Sequence, residues 1–510
     1  MIKTLSRTLS IILAAILVTL SLCAFSGDGK NVSRNSGSKK SGKRTAPAGM
    51  SIQVDEGTGA MRIERPQIKN PSPMGEKDTW TVFVYLCGSN LESKRFTGGM
   101  GTADIDEMCK ATASDRVRFV IETGGCKYWH NKSVDKNSLG RFIIEDGKLR
   151  PVGKVSQTSM GKASTLTDFL SWGVQTYPAE KMGVVLWNHG GGSITGVCFD
   201  ELEKDDSLSL REIDAAMLSV LESGVLTDAF EFIGFDACLM GTVEAANIAA
   251  NYARYMIGSE ESEPGSGWDY TAIGSYLAKN PGASGAGLGK VICDSFKKQC
   301  ETSGDGQIAT MSVIDLSGLD SFLKAFNSFA RDMYTKSEKR DTLNSMVRGI
   351  RNADNFGGNN RAEGYTNMVD LGGLIRACRN FTNTSDAAVS ALDKAVVYKT
   401  AGSDHTGASG LSVYYPLSIQ GSKEIKTFES VCVSPYYLSF VGRQGYGSVH
   451  SGDTEDYDDE SLFPEGIWSW LNSFLFDDET GDYDYEEDEE SDDWSFFDDH
   501  EDGAQRTDHL

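Results

Sequence analysis

At 510 residues the chain has room for two or three domains, and 39% hydrophobic residues are enough for a sizeable core. Its formal charge of −24 is concentrated at one end: 24 acidic residues against the single Arg506 lie between Asp453 and Leu510, leaving the rest close to neutral. No basic patch interleaved with aromatics occurs, which excludes a nucleic-acid footprint, and ten cysteines without a CxxC pair beside only six histidines argue against a structural zinc site.

The chain opens with Lys3 and Arg7, then an apolar run from Leu9 to Val18, with small residues at Ala24 and Ser26. This layout predicts a secretory signal over 1–26, the apolar run being short for a membrane span. Leu20-Ser21-Leu22-Cys23 also resembles a lipobox, so membrane attachment would follow only if Cys23 is lipidated. Residues 27–78 are rich in Gly, Ser, Lys and Arg and are expected to form a disordered basic leader.

A folded body is predicted from residue 79. Trp80–Leu86 and Arg118–Glu122 read as strands closed by turn residues, and Gly140–Ile144 with Lys148–Pro151 reads as a hairpin turning through Asp146-Gly147. Leu166–Tyr177 has helical spacing. A strand Val184–Trp187, a helix Leu210–Glu222, a strand Phe232–Phe235, a helix Leu239–Tyr252 and a strand Arg254–Ser259 follow. Strands alternating with helices predict an α/β fold whose central sheet is mostly parallel and flanked by helices. Residues 79–268 would form the catalytic part, and a more helical subdomain, 269–446, would complete it with strands near 308–314 and 410–415. Cys293 and Cys300 are expected to be two buried positions of one helix. The remaining segment, 447–510, is an acidic tail carrying Trp468, Trp470, Trp494, Phe496 and Phe497.

Two of these strands end on reactive side chains. Val184-Val185-Leu186-Trp187 runs into Asn188-His189-Gly190-Gly191-Gly192, and Phe232-Ile233-Gly234-Phe235 into Asp236-Ala237-Cys238. Ligands gather at the carboxyl ends of parallel strands, so an imidazole and a thiol along one sheet edge read as a Cys–His dyad for acyl transfer. The glycines would let the backbone pass close to a bound peptide. The N–H groups of Gly190 and Cys238 would form an oxyanion hole, and a helix starting at Leu239 would lower the thiol pKa.

Trp187–Gly192 and Phe235–Gly241 closely resemble the clostripain family of cysteine peptidases. Ser259–Trp268, Gly410–Pro416 and Tyr85–Glu92 extend the resemblance over about 79–437. It implies a caspase-like fold shared with gingipains, legumains and separases, His189 as base, Cys238 as nucleophile, and substrates with Arg or Lys at P1. Asp236, two residues before Cys238 and so on the same side of the strand end, would hold the basic side chain, unless it caps the next helix. The family's second pocket acid falls on Ser266, which makes Asp269 the substitute. Resemblance further implies activation by self-cleavage at a basic residue between His and Cys, here Lys204, and assistance by calcium, with Asp200, Glu201, Asp205 and Asp206 as nearby oxygen donors and no organic cofactor. The resulting expectation is an exported, self-activating cysteine endopeptidase. The alternative is an inactive caspase-like surface adhesion protein.

Overall fold

The computed structural model describes residues 44–45 and 49–449, apart from 56, 361–363 and 419–421. The expected signal segment, Cys23, most of the leader before Gly49 and the acidic tail beyond Val449 lie outside the described residues.

Nine strands form one sheet: β1 (Trp80–Cys87), β2 (Val117–Gly124), β3 (Ser138–Glu145), β4 (Lys148–Ser156), β5 (Lys181–Trp187), β6 (Phe230–Asp236), β7 (Ala253–Gly258), β8 (Thr310–Asp315) and β9 (Val396–Ala401). Their order is β9-β8-β7-β6-β5-β1-β2-β3-β4. The five central strands β7, β6, β5, β1 and β2 are parallel, and antiparallel pairs extend both edges. β1, β5 and β6 are buried over nearly their whole length, which is why they read as continuous apolar runs. One core packs on each face of the sheet, the larger around Phe83, Phe169, Met217 and Phe326, the smaller around Trp80, Trp268, Tyr270 and Phe296.

The sheet grows in two directions from β1. β2 is laid on one side of it and β5 on the other, so the topology switches between β1 and β5, where open α/β sheets form their crevices. β8 and β9 come from the C-terminal half of the chain, which therefore completes this sheet.

Local expectations are met where the signals are strong. The β3–β4 hairpin turns through Asp146 and Gly147, both at positive φ, and a capping box of Ser209 and Glu212 starts the helix Leu210–Glu222. Cys293 and Cys300 are both buried free thiols on the helix Gly285–Ser303.

Two expectations are corrected. The leader is partly structured: Arg44–Thr45, Ser51–Val54 and Met61–Glu64 pair as antiparallel strands, with Met50, Ile52 and Met61 buried in the larger core. These alternating apolar residues are too few to stand out against the polar composition around them. Arg65 then fastens the segment, bonding Asn247 O, Asn251 Oδ1 and Asp320 Oδ1 at 2.9, 2.8 and 2.7 Å. The helix after Cys238 begins at Val243 and ends at Ala249, not at Leu239 and Tyr252. Leu239 adopts φ +64°, which ends regular backbone directly after Cys238, and Thr242 caps the helix.

Candidate active site

Trp187 of β5 pairs in register with Asp236 of β6. His189 and Cys238 each lie two residues beyond that pair, at matching heights past adjacent parallel strands. Asn188 N–H donates to Asp236 O at 3.3 Å, carrying the ladder one step further. The Asn188 side chain then pins both neighbours, donating to Cys87 O at 2.6 Å and accepting from Phe199 N at 2.8 Å. At Gly190 a β-carbon would sit 2.1 Å from Cys238 O, so only glycine lets the histidine loop and the cysteine loop touch.

A third strand end joins them. Asn90, just past β1, presents Oδ1 to His189 Nε2 at 2.6 Å. An amide oxygen only accepts, so Nε2 carries hydrogen and Nδ1 is the ring nitrogen that accepts a proton. Asn90 stood within the Tyr85–Glu92 motif, but nothing in its spacing signalled this contact.

Burial pushes the His189 pKa down to about 4, with the nearby Lys94 charge adding to the effect. Burial likewise pushes the Cys238 thiol up to about 12, against the Glu263 N–H that donates to Sγ at 3.2 Å. The expected low-pKa thiolate at a helix start is thus corrected. The helix begins five residues later, and the shifts leave both the thiol and the imidazole uncharged at neutral pH.

Beneath Cys238 lies a group of buried carboxyls. Asp236 Oδ2 accepts from Tyr270 Oη at 2.8 Å and from Trp268 N at 3.4 Å. Burial still raises its pKa to about 7. Asp104 accepts from Trp187 Nε1 at 2.6 Å and is raised well above the carboxylate range, by burial first and then by the Asp236 charge. Glu263 is raised for the same two reasons, its carboxyl set against the Asp236 carboxyl, the Ala237 N–H and the Trp268 side chain. Among the described residues Ser266 Oγ is buried without a partner. Among the described residues no Lys or Arg pairs with Asp104, Asp236 or Glu263. Three buried carboxyls with no cation cannot all ionise, and a bound guanidinium or ammonium would relieve them.

Asp269 is not among the partners of Asp236. Its Oδ1 accepts from Ala272 N at 2.8 Å and caps the helix Tyr270–Lys279. The acid beside Asp236 is Glu263, which sequence spacing did not single out. Lys204 stands exposed at φ +57° at the tip of the turn joining Val197–Asp200 to Asp206–Leu208.

The carboxylates near that turn are engaged within the protein. Asp200 accepts from Met160 N and Leu202 N, Glu201 pairs with Lys127, and Asp206 accepts from Ser159 Oγ. Among the described residues, no group of three or more His, Cys, Asp or Glu is arranged to hold a metal.

The clostripain family model matches residues 84–452. The chain belongs to the clostripain family. It is 23% identical to clostripain of Hathewaya histolytica over 390 residues, covering 66% of this chain and 70% of that one. Its fold is similar to that of a secreted cysteine protease from Bacteroides thetaiotaomicron in complex with an irreversible peptide inhibitor. There the TM-score is 0.53 at 20% identity, over 71% of this chain and 99% of that one. An inactive zymogen protease from Parabacteroides distasonis matches with a TM-score of 0.50 at 20% identity, over 73% and 99%. The protein is accordingly a cysteine endopeptidase of this family with the family's α/β fold.

Proposed function

We propose that the protein is an exported endopeptidase that cleaves after Arg, and also Lys, with Cys238 as nucleophile and His189 as base. The observation that supports this reading is the register of β5 and β6, which leaves His189 and Cys238 two residues past a matched pair on adjacent strands, beside the buried Asp236 and Glu263 carboxyls that no Lys or Arg pairs with among the described residues. The P1 cation would enter that acidic pocket and let Asp236 ionise. His189 Nδ1 takes the thiol proton as sulfur bonds to the scissile carbonyl carbon, with the backbone N–H groups of Cys238 and Gly190 facing the oxyanion. The proton passes to the leaving amine as the C–N bond breaks, and water then hydrolyses the thioester. Export rests on the Lys3–Ser26 layout, and self-activation at Lys204 on the exposure of its turn.

A fluorogenic peptide with Arg at P1, a peptidyl-Arg chloromethyl ketone and intact-mass analysis test this together. Cys238→Ala is expected to abolish turnover and labelling, and the cut after Lys204 should occur only in the active protein. Undiminished turnover by Cys238→Ala would overturn the nucleophile assignment, and an active protein intact at Lys204 would overturn the processing site.

A further inference from the structure

Three acidic residues, Glu260, Glu261 and Glu263, follow β7, and each has a separate task. Glu260 Oε2 accepts from Gly410 N at 2.9 Å, Glu263 N–H donates to the Cys238 sulfur, and Glu261 connects the nucleophile loop to the C-terminal half of the chain. The backbone of Glu261 accepts from Leu239 N at 3.2 Å, directly after Cys238. Its Oε1 accepts from Gly357 N at 2.8 Å and Ser262 N at 2.6 Å, while its Oε2 lies 3.3 Å from His405 Nε2.

His405 has a carboxylate at each ring nitrogen, for Nδ1 is 3.0 Å from Asp354 Oδ1. Carboxylates only accept, so both nitrogens carry hydrogen and the ring is a cation, 9% exposed, clasped between two loops. Its face also meets Phe356, at 5.2 Å between centroids. Phe356 and Ala408 close a small apolar cluster over Leu239, with Cys238 packed against it. Gly357, at φ +71°, lies so near that a β-carbon would be 2.8 Å from the Leu239 side chain. The contact of the 354–357 loop with the cysteine turn is apolar, made by Phe356 and Gly357 against Leu239.

The geometry points to His405 as a positioning residue for Cys238: its cation ties Asp354 to Glu261 and so holds the 354–357 loop and the Glu261 backbone against the turn that carries the nucleophile. It has a second, electrostatic effect in the same direction. A charge on Glu261 disfavours the thiolate, and the His405 cation beside it offsets that charge. The inference rests on Cys238 being the nucleophile, and it is independent of the P1 preference.

The test compares His405→Gln, the double variant Glu261→Gln/His405→Gln and Cys238→Ala with the unaltered protein. Iodoacetamide alkylation of Cys238 is followed against pH by mass spectrometry, and kcat and KM are measured on an Arg peptide. For His405→Gln we expect kcat to fall 10- to 100-fold with KM within about twofold. Its alkylation at neutral pH should slow at least fivefold, and the double variant, which no longer carries the bare carboxylate, should recover part of that rate. A folded His405→Gln whose kcat and alkylation profile equal those of the unaltered protein would overturn the inference. If His405→Gln does not fold, the double variant decides: near-normal kcat with both groups gone would equally overturn it. Activity retained by Cys238→Ala would instead indict the nucleophile assignment, which keeps the two failures apart.

Discussion

Asp236 is the residue on which the proposed substrate preference turns, and its chemistry is set by burial more than by its neighbours. Tyr270 and Trp268 donate to it, yet its pKa remains near 7, because no cation accompanies it into the interior. Above that value it offers a carboxylate to a basic side chain, and below it a neutral acid. For a peptide with Arg at P1, kcat/KM should therefore fall about tenfold per unit as pH drops below about 7. His189 cannot produce that limb, having been pushed down to about 4. Asp236→Asn should be flat across the same window and slower by roughly 10- to 150-fold, the equivalent of about 1.5–3 kcal/mol for a charged hydrogen bond. An unchanged acid limb in Asp236→Asn would remove Asp236 from P1 recognition.

At the scale of elements, the legibility of the chain followed how local each signal was. β1, β5 and β6 announced themselves as apolar runs ended by turn residues, because buried parallel strands need nothing more, and the reactive His189 and Cys238 could be seen at their ends. The polar groups around them could not. Glu263, Asp104 and Asn90 lie 25, 134 and 148 residues from Cys238 in sequence, and only the sheet order brings them together. Asp269 looked like a pocket acid because it stood at the right distance from the Ser266 position, but a helix start claimed it as a cap. The strap from Gly49 to Arg65 was hidden for the opposite reason, its few apolar residues being diluted by a polar composition. Arg65 makes the strap's strongest attachment, a guanidinium with a side chain 12% exposed that serves Asn247, Asn251 and Asp320. Arg65→Ala should cost roughly 2–3 kcal/mol, since it strands partly buried acceptors. Urea unfolding followed by tryptophan fluorescence would show this as a lower midpoint, with kcat unchanged in the absence of urea. An unshifted midpoint would mean that the strap contributes nothing to the stability of the body.

Among the described residues of the whole molecule, buried acids outnumber buried bases, and this sets the direction of the pH dependence of stability. Burial raises Glu122, Asp236 and Glu244 each to about 7, far above their unfolded values near 4. Between about pH 4.5 and 7 the folded protein holds protons that the unfolded chain has released, so stability falls as pH rises, by at most about 1.4 kcal/mol per unit for each group. His405 continues the trend. Its pKa is raised to about 10 by Asp354 and then Glu261, so its contribution is complete below about 6.5 and is lost as pH climbs toward 10. His189 acts the other way, costing stability as pH falls from about 6.5 toward 4, but in that window it is one group against three carboxyls. The thermal midpoint of Cys238→Ala, used to prevent self-digestion, should therefore be highest near pH 4.5–5 and decline to pH 9. Replacing His405 by Gln in that background should flatten the part of the decline above pH 7 while leaving the part below it. A midpoint that rises from pH 6 to 9 would show that the buried carboxyls are compensated in solution, and with it the acidic pocket beneath Cys238 would lose its claim to be waiting for a substrate cation.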